Sequence, residues 1–229
     1  MNMETPKWSV ELHAHTSVSP CATVSPDEVI RIAEQKGLQA VAITDHDRID
    51  AAQYIKRKAQ FFVIIGEEIA SMDGDIIGYF LQNAIRPGLS AKETIALIRE
   101  QDGLVCIPHP CDKLRKHRLR PELLETILSE IDFLETWNAR NVFVSANKRA
   151  ERIALAHSIP QICGSDSHTR YEIGMSTMIL DPFQSTDEFR NSISSGTCVR
   201  KKSPIWVHGI TKLHKIKNQL FPKSINSTL

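Results

Sequence analysis

VELHAH, residues 10–15, is an apolar run that closes on two histidines, and SPDEVIRIAEQKG, residues 25–37, follows with its apolar positions at helical spacing. LQAVAITDH, residues 38–46, is again an apolar run ending in a histidine. This is a strand, helix, strand rhythm, and it continues outward to the end of the chain. An Ala/Lys-rich segment at 50–60 is followed by FFVIIGEEI (61–69), DIIGYF (75–80), a helical stretch at 90–101, and LVCIPHP (104–110). Then come a helix near 121–129, IDFLETWN (131–138), a helix near 146–157, QICGSDSH (161–168), MSTMIL (175–180), and a helix from Ser185. Seven or eight strands result. Ser25, Ser90 and Ser185 each stand three residues before a glutamate (Glu28, Glu93, Glu188), the spacing of a capping box that opens a helix. Pro26 suits the first helical position, and Gly37 and Gly103 fall where a helix should end in a left-handed residue. Polar residues recur at the ends of many strands rather than at one switch point, which favours a closed barrel over an open sheet.

With 229 residues, 41% of them hydrophobic, the chain can bury one substantial core. Its 28 Lys and Arg nearly cancel 27 Asp and Glu, so net charge does not suggest a polyanion as the main partner. The opening residues lack the pattern of a signal peptide and no apolar run could cross a bilayer; a cytoplasmic protein with no membrane partner is expected. Cys21, Cys106, Cys111, Cys163 and Cys198 include no CxxC pair and suggest reduced thiols. After about Arg200 the chain turns basic. The expected division is a single barrel domain over 1–200 and a peripheral C-terminal segment over 201–229 that packs on the barrel or is partly disordered at its polar end.

The chemistry lies at the strand ends. His13 and His15, at i and i+2 of an extended strand, project to one side with Cα atoms roughly 6 to 7 Å apart, so two imidazoles can converge on one ion. Asp166 and His168 repeat that geometry, and His46, Glu68 and His109 close three further strands. Five of the nine histidines end predicted strands, whereas His117, His157, His208 and His214 fall in loops, helices or the tail. So many imidazoles and carboxylates at one barrel mouth need a compensating cation. Mixed nitrogen and oxygen donors suit Zn, Mn or Fe, and a carboxylate such as Glu68 is suited to bridge two ions.

HAH, AITDHD, GEEI, PHP and GSDSH occur here in the order and at the strand ends seen in the PHP (polymerase and histidinol phosphatase) family, which the chain resembles over about residues 8 to 200. The resemblance implies an α/β fold, a distorted seven-stranded (β/α) barrel, with a bi- or trinuclear metal centre at the C-terminal ends of the strands. It implies phosphoesterase activity and the ligands His13, His15, His46, Glu68, His109, Asp166 and His168. Two departures stand out: trinuclear members have Asp or His where this chain reads Ser19-Pro20-Cys21, and a histidine where it reads Asn138. Asp75 stands where many relatives have a histidine and is a candidate additional ligand. Two or three divalent ions are therefore expected, with any third weakly held.

For an anionic substrate, CDKLRKHRLR (111–120) supplies Lys113, Arg115, Lys116, Arg118 and Arg120 on a loop at the active face, and a guanidinium grips phosphate through two hydrogen bonds. Arg115 and Arg118 are the preferred binders and Arg140 and Arg170 the second choices; His117 is the candidate proton donor to the leaving oxygen, and Asp45 the candidate support for its neighbour His46. The expected function is hydrolysis of a phosphate ester of a small molecule or nucleotide by a metal-bound hydroxide. The alternatives are a nuclease or exonuclease acting on nucleic-acid ends, which an aromatic content of 6% disfavours, and a non-catalytic metal-stabilised binding module.

Overall fold

The computed structural model describes residues 6–220; the polar end of the tail, 221–229, expected to fray, lies outside the described residues. In chain order the elements are β1 (Trp8–Ala14), α1 (Pro26–Gln35), β2 (Ala40–Ile43), α2 (Asp50–Lys58), β3 (Phe62–Ala70), β4 (Asp75–Tyr79), α3 (Ala91–Arg99), β5 (Leu104–Ile107), α4 (Pro121–Ile127), β6 (Phe133–Asn138), α5 (Val144–Ala156), β7 (Gln161–Gly164), β8 (Thr177–Leu180), α6 (Thr186–Ser194), β9 (Thr197–Val199) and α7 (Trp206–Leu220). Helices begin where the serine and glutamate spacing predicts. Ser25 and Ser90 form complete capping boxes, while Ser185 accepts from the Glu188 amide and the Glu188 carboxylate turns back to the Gln184 amide instead.

One sheet of nine strands runs β7-β6-β5-β4-β3-β2-β1-β8-β9 and curls into a nearly closed barrel. Seven of the strands, β1 to β7, make the barrel wall, so the expected barrel type holds; the two extra strands, β8 and β9, pair antiparallel with each other across the intervening α6, and β8 pairs antiparallel with the start of β1. Closure happens at the other end of β1. There the His15 amide donates to the Ser167 carbonyl at 2.9 Å and the Ser167 amide to the His13 carbonyl at 3.2 Å. The sequence rhythm predicts parallel strands, but β4 is antiparallel to both neighbours because a tight turn at residues 71–74, rather than a helix, joins it to β3.

The barrel interior has an apolar floor. Val10, Leu12, Ala40, Ala42, Ile64, Ile77, Tyr79, Phe133, Phe183 and Phe189 form one buried cluster, and the Tyr79 hydroxyl donates to the Leu12 carbonyl at 2.9 Å. Ala14, Val41 and Ile43 belong to a different cluster, packed against α1 and α2. A β-bulge explains how β1 serves both. Val10 pairs with Ala40 and Glu11 with Val41, but the next pair is Ala14 with Ile43, so β1 carries one extra residue. The bulge shifts the strand's alternation, so that Val10 and Leu12 fill the floor while His13 and His15 still turn toward the mouth. A second irregularity lies in β6 between Glu135 and Trp137, also beside the site.

Gly103 is not the left-handed residue that its position predicts. Asp102 takes that conformation (φ 57°), and Gly103 is needed for contact instead, since a Cβ there would lie 2.8 Å from Ile98. No helix among the described residues is long and apolar enough to cross a membrane.

Candidate metal centre

The C-terminal ends of β1, β2, β3, β5 and β7 bring His13, His15, His46, Glu68, His109, Asp166 and His168 into one cluster, together with Asp75 at the start of the antiparallel β4. Every one is buried except His46, which is partly exposed. His13 Nε2 and His15 Nε2 face each other at 3.1 Å. Glu68 Oε2 lies 3.5 Å from His13 Nε2, 3.2 Å from His15 Nε2 and 3.4 Å from His46 Nδ1, while its other oxygen sits 2.9 Å from His109 Nε2. Asp166 Oδ1 lies 3.6 Å from His13 Nε2 and 3.4 Å from His15 Nε2. These separations match the edge of a coordination polyhedron, since donors about 2.1 Å from one tetrahedral ion lie about 3.4 Å apart.

Two observations test whether the residues fit a cation. Glu68 Oε2 and Asp166 Oδ1 are buried and accept no hydrogen bond, although both point at imidazole nitrogens. A buried carboxylate oxygen without a donor is costly, and a divalent ion between these groups removes that cost. The backbone adds a second sign. His109 and Asp166 have φ of 32° and 51°, a left-handed region that non-glycine residues occupy at a cost of about 1 to 3 kcal/mol each and that recurs at functional sites. The donor set fits divalent ions such as Zn, Mn or Fe. Glu68 presents one oxygen toward His109 and the other toward His13, His15 and His46.

Electrostatics favour the ligating forms of Glu68, Asp166, His46 and His168, whereas at His13 and His15 burial is outweighed by the surrounding carboxylates, which raise both above an ordinary histidine, so a cation bound there would displace protons. Burial works against ionisation of Glu68, but His46 and His13 hold its carboxyl well below the usual range; Asp166 is likewise held down against burial, by Arg115 and His13. Burial pushes His46 down to about 4 and keeps His168 well below an ordinary histidine, so both are neutral imidazoles. The His168 Nδ1–H donates to the Asp166 carbonyl at 2.8 Å, which leaves Nε2 free for a cation. Asp75, raised to about 8 by burial and by Glu68, stands beside Glu68 and His109.

Sequence reasoning missed two supports. Glu135, on β6, accepts from His13 Nδ1 at 2.9 Å with one oxygen and from the His109 amide at 2.7 Å with the other, so one carboxylate orients two candidate ligands. Its only signal is an inward position three residues before Asn138. Glu11 is fully buried and accepts from the His13 and Ser165 amides, each at 3.0 Å, tying β1 to β7. The expected support from Asp45 takes the form of a loop clamp: it accepts from the Thr16 amide and hydroxyl and from Ser19 Oγ, and Ser19 Oγ accepts from the His46 amide at 3.0 Å. Asn138 spends its amide on hydrogen bonds, donating to Glu135 and Asp166 and accepting from the Arg140 amide. It does not present a free ligand where trinuclear relatives have a histidine.

The cluster opens into a cleft of about 340 Å³ that runs from Cys21 and His168 past Arg115 and Arg140 to α7. Arg115 pairs with Asp166 and lies 3.6 Å from Asp112. Arg140 is buried, donates to both Glu172 oxygens at 3.0 Å and to Thr211 Oγ1 at 3.0 Å, and so acts as a structural clamp as well as a lining residue. The other basic candidates lie elsewhere. Arg118 lines a separate, smaller cleft with Cys111 and Arg149, because the loop after His109 folds Arg115 back over the mouth and carries Arg118 past it. Arg170 is exposed, 3.7 Å from Glu28 at the start of α1. His117 is also exposed; its carbonyl, which accepts from the Asp75 amide at 2.7 Å, is what meets the site. The tail is less peripheral than its composition suggests. Val207 and Thr211 are buried, Asn218 donates to the Pro20 carbonyl at 3.0 Å, and α7 forms one wall of the cleft.

A (β/α) barrel with histidines and carboxylates converging at the strand ends defines a class of metal-centre proteins, and the comparisons narrow it. The PHP domain matches residues 11–107 and the PHP-associated region residues 144–198. This chain belongs to the PHP family. It is 36% identical over 142 residues to uncharacterized protein MJ1587 of Methanocaldococcus jannaschii, covering 56% of this chain and 81% of that one. It is 31% identical to uncharacterized protein MJ0417 of the same organism, covering 72% of this chain and 67% of that one. Among solved structures, a two-domain protein of Bacteroides vulgatus, described as containing a predicted PHP-like metal-dependent phosphoesterase, superposes with a TM-score of 0.69 at 16% identity. That match covers 86% of this chain and 66% of the other, and supports the fold.

Proposed function

We propose that the chain is a metal-dependent phosphoesterase that hydrolyses a phosphate ester of a small molecule or nucleotide at a site built from His13, His15, His46, Glu68, His109, Asp166 and His168, with Asp75 beside them. The observation that carries this reading is the pair of buried carboxylate oxygens, on Glu68 and Asp166, that face imidazole nitrogens and lack any hydrogen-bond donor. Two divalent ions bound there would supply Lewis acidity toward phosphoryl oxygens and lower the pKa of water toward neutrality.

The chain's own residues do the rest. Glu135 holds the His13 ring and the His109 backbone in place. Arg115, already against Asp166 at the mouth, is the side chain placed to take a phosphoryl oxygen through charge-assisted hydrogen bonds. Arg140, locked between Glu172 and Thr211, adds positive potential and fixes the wall. His208 is the histidine outside the cluster that lines the cleft, whereas the exposed His117 does not line it. A cleft of about 340 Å³ suits a small substrate rather than a nucleic-acid strand. The description of the Bacteroides vulgatus structure as containing a predicted PHP-like metal-dependent phosphoesterase agrees with this reaction class. All five cysteines are free, in keeping with a reducing, cytoplasmic setting.

The test is hydrolysis of p-nitrophenyl phosphate and bis-p-nitrophenyl phosphate with Mn²⁺ or Zn²⁺ added. The expected result is cation-dependent turnover, abolished in H13A/H15A. Absence of turnover on both esters with every cation would contradict the reading.

A further inference from the structure

The cleft wall formed by α7 carries a feature that the metal cluster does not use. His208, Thr211, Lys212 and Lys215 all line the cleft. Their offsets of three, four and seven residues are those of one helical face. Thr211 on that face is buried and bonded to Arg140, which fixes the rotation of the helix and turns the two lysines to the opening. Further out, Asn218 is bonded to Pro20, and the Tyr171 and Trp206 rings meet edge to face at 5.0 Å. The wall is therefore held at three places.

Charge on the cleft lining is lopsided. The lining includes Arg115, Arg140, Lys212 and Lys215 but one carboxylate, Asp112. Asp112 is engaged by Arg115, and Arg140 is matched by Glu172. Among the described residues, Lys212 and Lys215 form no ion pair, while Leu114 and Val142 leave the neighbouring wall apolar. Two uncompensated ammonium groups on one side of a concave cleft attract and select anions. They belong to a helix that lies beyond both matched family regions, which end at residue 198.

We infer that Lys212 and Lys215 are specificity-determining residues that bind a second anionic group of the substrate, so that the preferred substrate is a phosphoester carrying a further phosphate or carboxylate several bonds from the scissile one. The inference rests on the phosphoesterase reading for what happens at the cluster, but its test needs binding rather than turnover.

The full chain, loaded with Mn²⁺, is titrated by calorimetry with 1,3-propylenediphosphonate and, as single-anion control, propylphosphonate; neither has a P–O–C bond to cleave. The diphosphonate should bind about tenfold more tightly or better, the effect of one or two charge-assisted contacts. In K212A/K215A that preference should vanish. It should survive in K217A, which removes one charge from an exposed position of α7 outside the cleft, and in K212R/K215R. Equal binding of the two ligands by the unaltered chain would overturn the inference, as would a preference unchanged in K212A/K215A, or one lost equally in K217A. A protein that shows the lysine-dependent preference yet cleaves no ester would refute the phosphoesterase reading and leave the anion site standing.

Discussion

The candidate metal centre and the α7 wall share one mouth but are built in opposite ways. The cluster draws buried side chains from the ends of five parallel strands, and the supporting Glu11, Asp45 and Glu135 bind backbone amides around it. The wall is a single helix whose working lysines are exposed. Chemistry that depends on donors placed within a few tenths of an ångström needs the first construction. Selecting an anion needs only charge facing a cleft, which an added helix can provide.

The largest contrast should come from removing ligands. H13A/H15A is expected to lose bound metal and to lower kcat/KM on p-nitrophenyl phosphate by on the order of 10³-fold or more, whereas changes at Lys212 and Lys215 leave metal content intact; mass spectrometry of bound metal beside steady-state kinetics reads both. Next is Glu135→Gln, which keeps the shape but weakens the acceptor on His13. A fall of roughly 10- to 100-fold in metal affinity is expected from losing such a carboxylate, measured by competition with a chelating dye; unchanged affinity would show that Glu135 does not orient the ligands.

Backbone fit gives a third test. A Cβ on Gly164 would lie 2.5 Å from His13 Cβ and 2.6 Å from Glu135 Oε1. Gly164→Ala should therefore cost about 1 to 3 kcal/mol, a drop in thermal midpoint of roughly 2 to 12 °C for a chain of this size, together with loss of metal. The smallest effect belongs to the wall. Thr211→Val removes the hydroxyl that accepts from Arg140 Nη2 and should cost about 1 to 2 kcal/mol, with metal content unchanged; metal loss in this variant would show that wall and cluster are not separable.

Much of the cluster was legible because strand periodicity places residues at i and i+2 on one side, and HAH and DSH carry that pattern in the sequence itself. What stayed hidden depends on contacts between distant segments. The bulge in β1 is visible only in register with β2, since local alternation would put Leu12 and His13 on opposite faces. The antiparallel β4 follows from a turn that Ser71 closes with its hydroxyl, bonded to the Asp73 and Gly74 amides, which composition does not announce. In the basic loop, charge marks five candidates, and only the folded path separates Arg115 at the mouth from Arg118 in a separate cleft. The tail reads as a basic, peripheral amphipathic segment. Its position over the cleft depends on a partner, Arg140, that lies 71 residues away from Thr211.

The most direct test is a crystal structure of the chain soaked in Mn²⁺ and recorded at a wavelength where manganese scatters anomalously. Two peaks about 3.5 to 4 Å apart, with Glu68 between them and His13, His15, His109 and Asp166 around them, are the predicted result. A map with no anomalous peak at these side chains, at full occupancy of protein and with Mn²⁺ in excess, would contradict the account.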